Sequence, residues 1–252
     1  MALQGVASAL LEWWQTALDL LLPLPPLCAL CGADWFEPPL CSECRRSLCF
    51  PPGVHLCPRC RRPLMGGASA LCSECAAGDF RLDGVAALGL LDGPLQLAVH
   101  KLKFRDRSEL ARPLGQALAA PVGTLPHPAA VVPVPLHRTR LSERGYNQAA
   151  LLGAALALSL GVPVRHWLQR PRPTAAQSAL GRTARLNNLR GAFAVNAPAG
   201  VLQGLHLLLV DDVLTTGATA QAAAEALRAA GASRVSLAVL AVSTTPVIAS
   251  FG

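Results

Sequence analysis

The sequence predicts an α/β fold, a mainly parallel sheet flanked by helices, with a small cysteine-rich module on its N-terminal side. Three observations carry that prediction. From Asp83 onward, short aliphatic runs alternate with longer segments of helical character, the pattern of strands joined by helical crossovers. One run, residues 207–220 (LLLVDDVLTTGATA), ends in two adjacent acids and a small polar turn before an Ala-rich segment stopped by Gly231. Eight of the nine cysteines fall into four C-x-x-C pairs.

Taken in chain order, the apolar start, Val6 to Leu22, reads as an amphipathic helix. It contains Glu12 and Asp19, lacks a basic leading segment and is short for a membrane span, so no membrane insertion is expected. Pro23, Pro25 and Pro26 end it. With no export signal, the expectation is a cytoplasmic protein with reduced thiols. Residues 1–27 then form a helix and Pro-rich linker, 28–80 the cysteine module and 81–252 the α/β domain.

The pairs Cys28/Cys31, Cys41/Cys44, Cys57/Cys60 and Cys72/Cys75 have the spacing of zinc knuckles. Two thiolates two residues apart reach one tetrahedral ion, and two knuckles complete it. Four pairs therefore imply two zinc ions, each with four protein ligands and no open position, hence structural. Disulfides do not suit a reducing compartment, and redox C-x-x-C motifs do not come four in a row. Sequential pairing leaves nine residues between the knuckles of the first site and eleven in the second. A cross-braced arrangement, first knuckle with third and second with fourth, fits the spacing nearly as well. Cys49 stands outside the pattern and reads as a buried small residue. Six Arg and five acids lie between Cys28 and Arg81. Two four-thiolate zinc sites, each net −2, make this module acidic, so charge does not support a strong phosphate binder and a protein-contact module is at least as good a reading.

In the α/β domain, DGVAALGLL reads as a strand, residues 108–121 as a helix and VVPVPL as a buried strand. YNQAALLGAALALSLG reads as a helix capped by Gly161, VPVRHWL as a strand and RVSLAVLAV as the last strand. Hydrophobic content is 52% with 4% aromatic, so Ala, Leu and Val must fill the core. The net charge of +7 is uneven: residues 99–190 hold 14 Lys and Arg against Asp106, Glu109 and Glu143. A polyanion is implied there, a pyrophosphate or a nucleic-acid backbone.

The motif at 207–220 supplies the other half. A Thr/Gly turn feeding a helix start directs backbone N–H groups at an anion. Asp211 and Asp212, at the carboxyl end of a buried strand, would repel a phosphate and suit sugar hydroxyls or a metal. One turn thus implies a sugar phosphate. The glycine patterns of dinucleotide folds and P-loops are both absent. The arrangement resembles the 5-phosphoribosyl-1-pyrophosphate (PRPP) motif of type I phosphoribosyltransferases. That resemblance implies a loop of Thr215, Thr216, Gly217, Ala218 and Thr219 around the 5-phosphate, with Asp211 and Asp212 on the ribose hydroxyls.

Three basic clusters complete the pattern: HKLKFRDR from His100, LHRTRLSERGYNQ from Leu136, and RPRPTAAQSALGRTARLNNLRGAF from Arg170. Together with the knuckles, H-x-L-K-F, V-P-V-P…R-G-Y-N-Q and T-x-x-Q…R-x-x-N…A-F resemble the ComF family over nearly the whole chain. The resemblance implies a double zinc ribbon joined to a type I phosphoribosyltransferase domain, associated with DNA uptake and natural transformation. It assigns pyrophosphate contacts to Arg138, Arg140, Arg144, Gly145, Asn147 and Gln148. Gln177, Arg185 and Asn188 fall on a closing lid, and Lys101 and Lys103 on the earlier basic motif. Tyr146 stands where relatives often carry Phe. The chemistry implied is transfer of phosphoribosyl from PRPP, which brings Mg2+, to an acceptor no motif identifies, with Asp211, Asp212 and Arg144 at the reacting centre. A protein that binds PRPP without turnover, and acts on single-stranded DNA or on competence and recombination proteins, is the alternative.

Overall fold

The computed structural model describes residues 27–28, 30–33, 40–64, 71–104, 107–171 and 191–243. The expected N-terminal amphipathic helix and the expected lid residues Gln177, Arg185 and Asn188 lie outside the described residues. Two compact units divide between Arg45 and Arg46. The first contains Cys28, Cys31, Cys41 and Cys44. The second holds the remaining knuckles together with the α/β sheet.

Among the described residues the elements are α1 (Ser42–Ser47), α2 (Ser73–Ala76), β1 (Val85–Leu90), α3 (Gly93–Phe104), α4 (Ala111–Ala117) and α5 (Ala119–Val122). Then come β2 (Ala130–Pro133), α6 (Arg138–Arg144), α7 (Gln148–Leu160), β3 (Leu168–Gln169), β4 (Ala194–Val195), β5 (His206–Leu214), α8 (Ala218–Ala229) and β6 (Arg234–Val242). The four longer strands form one parallel sheet in the order β1-β6-β5-β2. Short β3 and β4 make a separate antiparallel pair. Parallel strands covered on both faces read as continuous apolar runs. Accordingly Leu207 to Val210 and Leu237 to Val242 are fully buried.

Alternate residues sort the two faces. Leu207, Leu209, Val235, Leu237 and Val239 share one core with Ala223, Ala224 and Leu227 of α8, and with Cys57, Cys60 and Cys75. The second cysteine tetrad is thus part of the sheet's own core. On the other face α7 lies so close that a Cβ at Gly153 would come within 3.2 Å of Val131 and 3.8 Å of Val210. Helix α4 approaches α7 as tightly: a Cβ at Gly115 would meet the Leu152 carbonyl at 2.6 Å, so only glycine fits.

Several elements differ from the sequence reading. VPVRHWL makes only one bridge to the sheet edge, Val131 to Val164, before reaching β3. Pro163 offers no N–H to a ladder, and Pro163, Arg165 and His166 are exposed. The expected helix from Ser108 begins as a 3-10 turn, Ser108–Leu110, and continues as α4 and α5. Helix α3 went unread, although Leu95, Ala98, Val99 and Leu102 mark its buried face and Pro94 suits its first turn. Cys49 is exposed, not buried, in the bend that follows α1. Among the described residues no helix is long and apolar enough to cross a membrane.

Candidate functional site

The cysteines group sequentially: Cys28, Cys31, Cys41 and Cys44, then Cys57, Cys60, Cys72 and Cys75, each set with sulfurs within 4.8 Å of one another. This decides against cross-bracing. Zn–S bonds of about 2.3 Å at tetrahedral angles place sulfurs roughly 3.8 Å apart. Cys31 and Cys41 sulfurs are 3.8 Å apart and those of Cys60 and Cys72 3.5 Å. Backbone N–H groups donate to the sulfurs of Cys28, Cys41 and Cys57, as thiolates require. Burial raises the Cys57 thiol, but amides of Cys72, Cys60 and Arg59 outweigh it and bring it down to about 6. Burial pushes Cys60 up to about 12 and the Cys75 thiol higher still. Four thiols crowded this closely cannot all ionise without a cation, and both sets are able to bind zinc.

The first knuckle of each tetrad closes in the same way, whereas the second of each opens a short helix, α1 or α2. Gly32 N–H donates to the Cys28 carbonyl and Arg61 N–H to that of Cys57. In these two first knuckles the residue after the second cysteine takes the left-handed conformation: Gly32 at φ 75° and Arg61 at φ 61°. Arg61 is the only non-glycine residue at positive φ among those described.

The second feature is a cavity of about 380 Å³ over the carboxyl end of the sheet. Strand β5 continues past the acids to Leu214, so both carboxylates project from the strand itself rather than from its end. Asp211, Asp212, Thr215 and Thr219 line the cavity. Gly217, at φ 79°, turns the chain into α8, and Thr216 Oγ1 accepts from Ala218 N–H. Opposite stand Lys103, Arg140, Arg144 and Arg170, four cations facing two acids. Helix α3 contributes Gln96, Val99, His100, Lys103 and Phe104, one stripe at helical spacing.

These groups are already poised against one another. Lys103 Nζ lies 2.9 Å from Asp212 Oδ1. Burial, then the charge of Asp212, pushes Asp211 up to about 7, against the pull of the Asp212 N–H, Lys103 and Arg170. Arg170 is held below its ordinary value by burial first and by Arg140 second, and its guanidinium lies 5.6 Å over the Phe193 ring. Such mutual repulsion among cations is relieved by a bound polyanion.

The R-G-Y-N-Q segment divides its labour. Arg144 faces the cavity and lies 5.0 Å over the ring of Phe104. Gly145, at φ 73°, ends α6. Tyr146 donates its hydroxyl proton to the Leu102 carbonyl at 2.6 Å, tying this turn to α3. Asn147 caps α7 by accepting from Ala149 N–H and donates to the Val134 carbonyl. Gln148 is buried, with Nε2 lacking a partner among the described residues. Asn147 and Gln148 therefore shape the turn and line neither this cavity nor the open groove beside it, and Arg138 and Lys101 also lie off both. Sequence reasoning missed Arg170, Phe104 and Gln96 as lining residues. Arg170 and Phe104 each stand inside a basic cluster of the sequence, but only the fold brings them to the cavity wall.

A parallel sheet with an acid pair, a Thr-Gly turn at a helix start and a facing set of cations defines a phosphoribosyltransferase-type domain. Residues 149–246 match the phosphoribosyl transferase domain family. DNA utilization protein YhgH of Salmonella typhi is 36% identical over 230 residues, covering 85% of this chain and 96% of that protein. Competence protein F of Haemophilus influenzae is 30% identical over 204 residues, 78% of this chain and 87% of that protein. Competence protein ComFC of Bacillus subtilis is 30% identical over 197 residues, 75% and 77% of the two chains. Among solved structures, the glutamine PRPP amidotransferase from B. subtilis aligns with a TM-score of 0.39 and 19% identity, over 56% of this chain and 30% of that one. The chain belongs to the ComF family.

Proposed function

We propose that this protein binds PRPP, brought with Mg2+, and transfers its phosphoribosyl group to an acceptor in the handling of DNA. The observation that carries this reading is the joint cavity: the Thr-Gly turn and acid pair on one side, four cations on the other. The turn suits a 5-phosphate, Asp211 and Asp212 suit the ribose hydroxyls, and Lys103, Arg140, Arg144 and Arg170 suit the pyrophosphate. Transfer breaks the bond from ribose C1 to the pyrophosphate oxygen and forms one from C1 to the acceptor. Positive charge grows on the ring, near the two acids, while negative charge grows on pyrophosphate, near the cations. Stabilisation therefore increases toward the transition state. Magnesium supplies charge neutralisation of the leaving group. The two cysteine tetrads, filled with zinc, hold their segments folded and take no part in the chemistry. The names of the relatives, DNA utilization and competence proteins, support the cellular setting. Calorimetric titration with PRPP and magnesium, joined to an assay of pyrophosphate release, tests the proposal. Absence of both binding and release at physiological magnesium would sink it.

The raised Asp211 carboxyl gives a pH test. A carboxylate, not a neutral acid, is the stronger acceptor for ribose hydroxyls. Below about pH 7 binding must first remove a proton. PRPP affinity is expected to climb between pH 6 and pH 8, with proton release on binding that Asp211→Asn abolishes. Stability runs the other way. The native carboxyl keeps its proton to about pH 7, while the unfolded one releases it near its ordinary value of 3.8. The unfolded chain then binds fewer protons, so this group's contribution falls as pH rises across that window. Affinity independent of pH in calorimetry would refute the assignment.

A second reading has its own support. An open groove beside the cavity is lined by Lys103, Phe104, Arg140, Glu143, Arg144, Gly145 and Tyr146, and Phe104 is 63% exposed. Cations along an exposed aromatic ring suit single-stranded DNA, the ring stacking on a base. In this reading PRPP is sensed rather than consumed. Affinity for an oligonucleotide should then fall steeply with salt, and a flat response would exclude it.

A further inference from the structure

One side chain joins the second cysteine tetrad to the Thr-Gly turn of the cavity. Arg62 is the second residue after Cys60, and its Nη2 donates to the Thr215 carbonyl at 2.7 Å. Its Nη1 pairs with Glu74, which stands between Cys72 and Cys75. The guanidinium lies 5.8 Å over the ring of Phe80. That ring in turn sits against Gly217, where a Cβ would come within 3.1 Å of Phe80 Cε2. The main chain of Arg62 is fixed by the knuckle itself, because its carbonyl accepts from Cys57 N–H at 2.8 Å. Nearby, Arg81 N–H donates to Gln221 Oε1 of α8 at 3.0 Å. Both knuckles, the Arg62–Glu74 pair and the turn are therefore one continuous piece of structure.

The consequence follows from peptide geometry. In a planar trans peptide the C=O and the next N–H point in opposite directions. A charged donor holding the Thr215 carbonyl on one side fixes the Thr216 N–H on the other. We infer that Arg62 is a positioning residue for the sugar-phosphate turn, and that the second cysteine tetrad thereby sets affinity for the ribose 5-phosphate end of the ligand. The inference rests on the PRPP reading. Lysine is a poor substitute: a guanidinium serves Thr215, Glu74 and Phe80 at once, whereas an ammonium is a point charge. The cations that face the pyrophosphate stand on α3, on α6 and at Arg170, whereas Arg62 bonds to Thr215 and Glu74, packs on Phe80 and does not line the cavity.

That separation gives the test. The full-length, zinc-loaded protein and its Arg62→Ala and Arg62→Lys variants are titrated calorimetrically with PRPP, ribose 5-phosphate and pyrophosphate, each with magnesium. Zinc per chain and melting temperature are measured on every sample. Arg62→Ala is expected to keep its zinc and its pyrophosphate affinity, while losing about tenfold or more for PRPP and ribose 5-phosphate. Arg62→Lys should recover part of the loss. No loss, or an equal loss for all three ligands, overturns the inference. If Arg62→Ala sheds zinc, Phe80→Leu, which leaves the four thiols and the Arg62–Glu74 pair in place, must show the same split. A wild-type protein that binds pyrophosphate but neither PRPP nor ribose 5-phosphate overturns the functional reading itself.

Discussion

Replacing both acids, Asp211→Asn with Asp212→Asn, is expected to abolish pyrophosphate release and to weaken PRPP binding by roughly 100-fold or more. Hydrogen bonds to a charged acceptor contribute about 1.5–3 kcal/mol each, and the ribose would lose two such acceptors. An asparagine carbonyl still accepts, but without the charge that opposes the cation forming at C1. The double variant should nevertheless fold well. Asp211 is a half-buried carboxyl pushed up by desolvation and by its neighbour, and its neutral isostere removes that repulsion. Lys103 loses its partner on Asp212 and stays beside the anion site, so affinity for pyrophosphate alone should hold or rise. Calorimetry with PRPP and with pyrophosphate separates the two ends of the ligand. Undiminished PRPP binding by a folded double variant would show that the acid pair does not hold the ribose.

Removing the second metal site should produce the largest loss of stability. Cys57→Ser with Cys60→Ser is expected to lower zinc from two ions per chain to one and to drop the melting temperature by roughly 10 °C or more. Cys57 and Cys60 have no solvent exposure and belong to the same apolar core as Leu209, Leu237 and Val239. Two buried hydroxyls without their metal add a desolvation cost to the lost coordination. Cys49→Ser is the control, since Cys49 is exposed and belongs to neither tetrad. Zinc release by a chelator and thermal denaturation measure both effects. Retention of two ions by the double variant would exclude Cys57 and Cys60 as ligands.

Much of the fold was legible because its signals are local. The strand His206–Leu214, its turn and helix Ala218–Ala229 occupy one unbroken stretch, so hydrophobic run, acid pair and glycine turn could be read together. Strand β6 matches its predicted run, Arg234 to Val242. Where local signals conflicted, the reading failed. VPVRHWL has β-branched residues but also Pro163 and an exposed flank, and it forms one bridge in place of a strand. Helix α3 splits the basic cluster of the sequence, because Lys101 and Lys103, two residues apart, fall on different sides of a helix. Only Lys103 turns to the cavity.

The sequence by itself determined the sheet's main strands, the Thr-Gly turn after the acid pair and the eight paired cysteines, because periodicity and spacing are properties of neighbouring residues. It left the pairing of knuckles open, since separations of nine and eleven residues suit either arrangement; the sulfur positions chose the sequential one. Tertiary structure alone decided which cations meet the acids: Lys103 at Asp212, and Arg170 beside Asp211. It alone set Arg62 on Thr215, across 153 residues of chain. Such contacts leave no trace in local pattern. They arise when parallel crossovers return distant segments to the same end of one sheet, where burial and charge fix each side chain against the next.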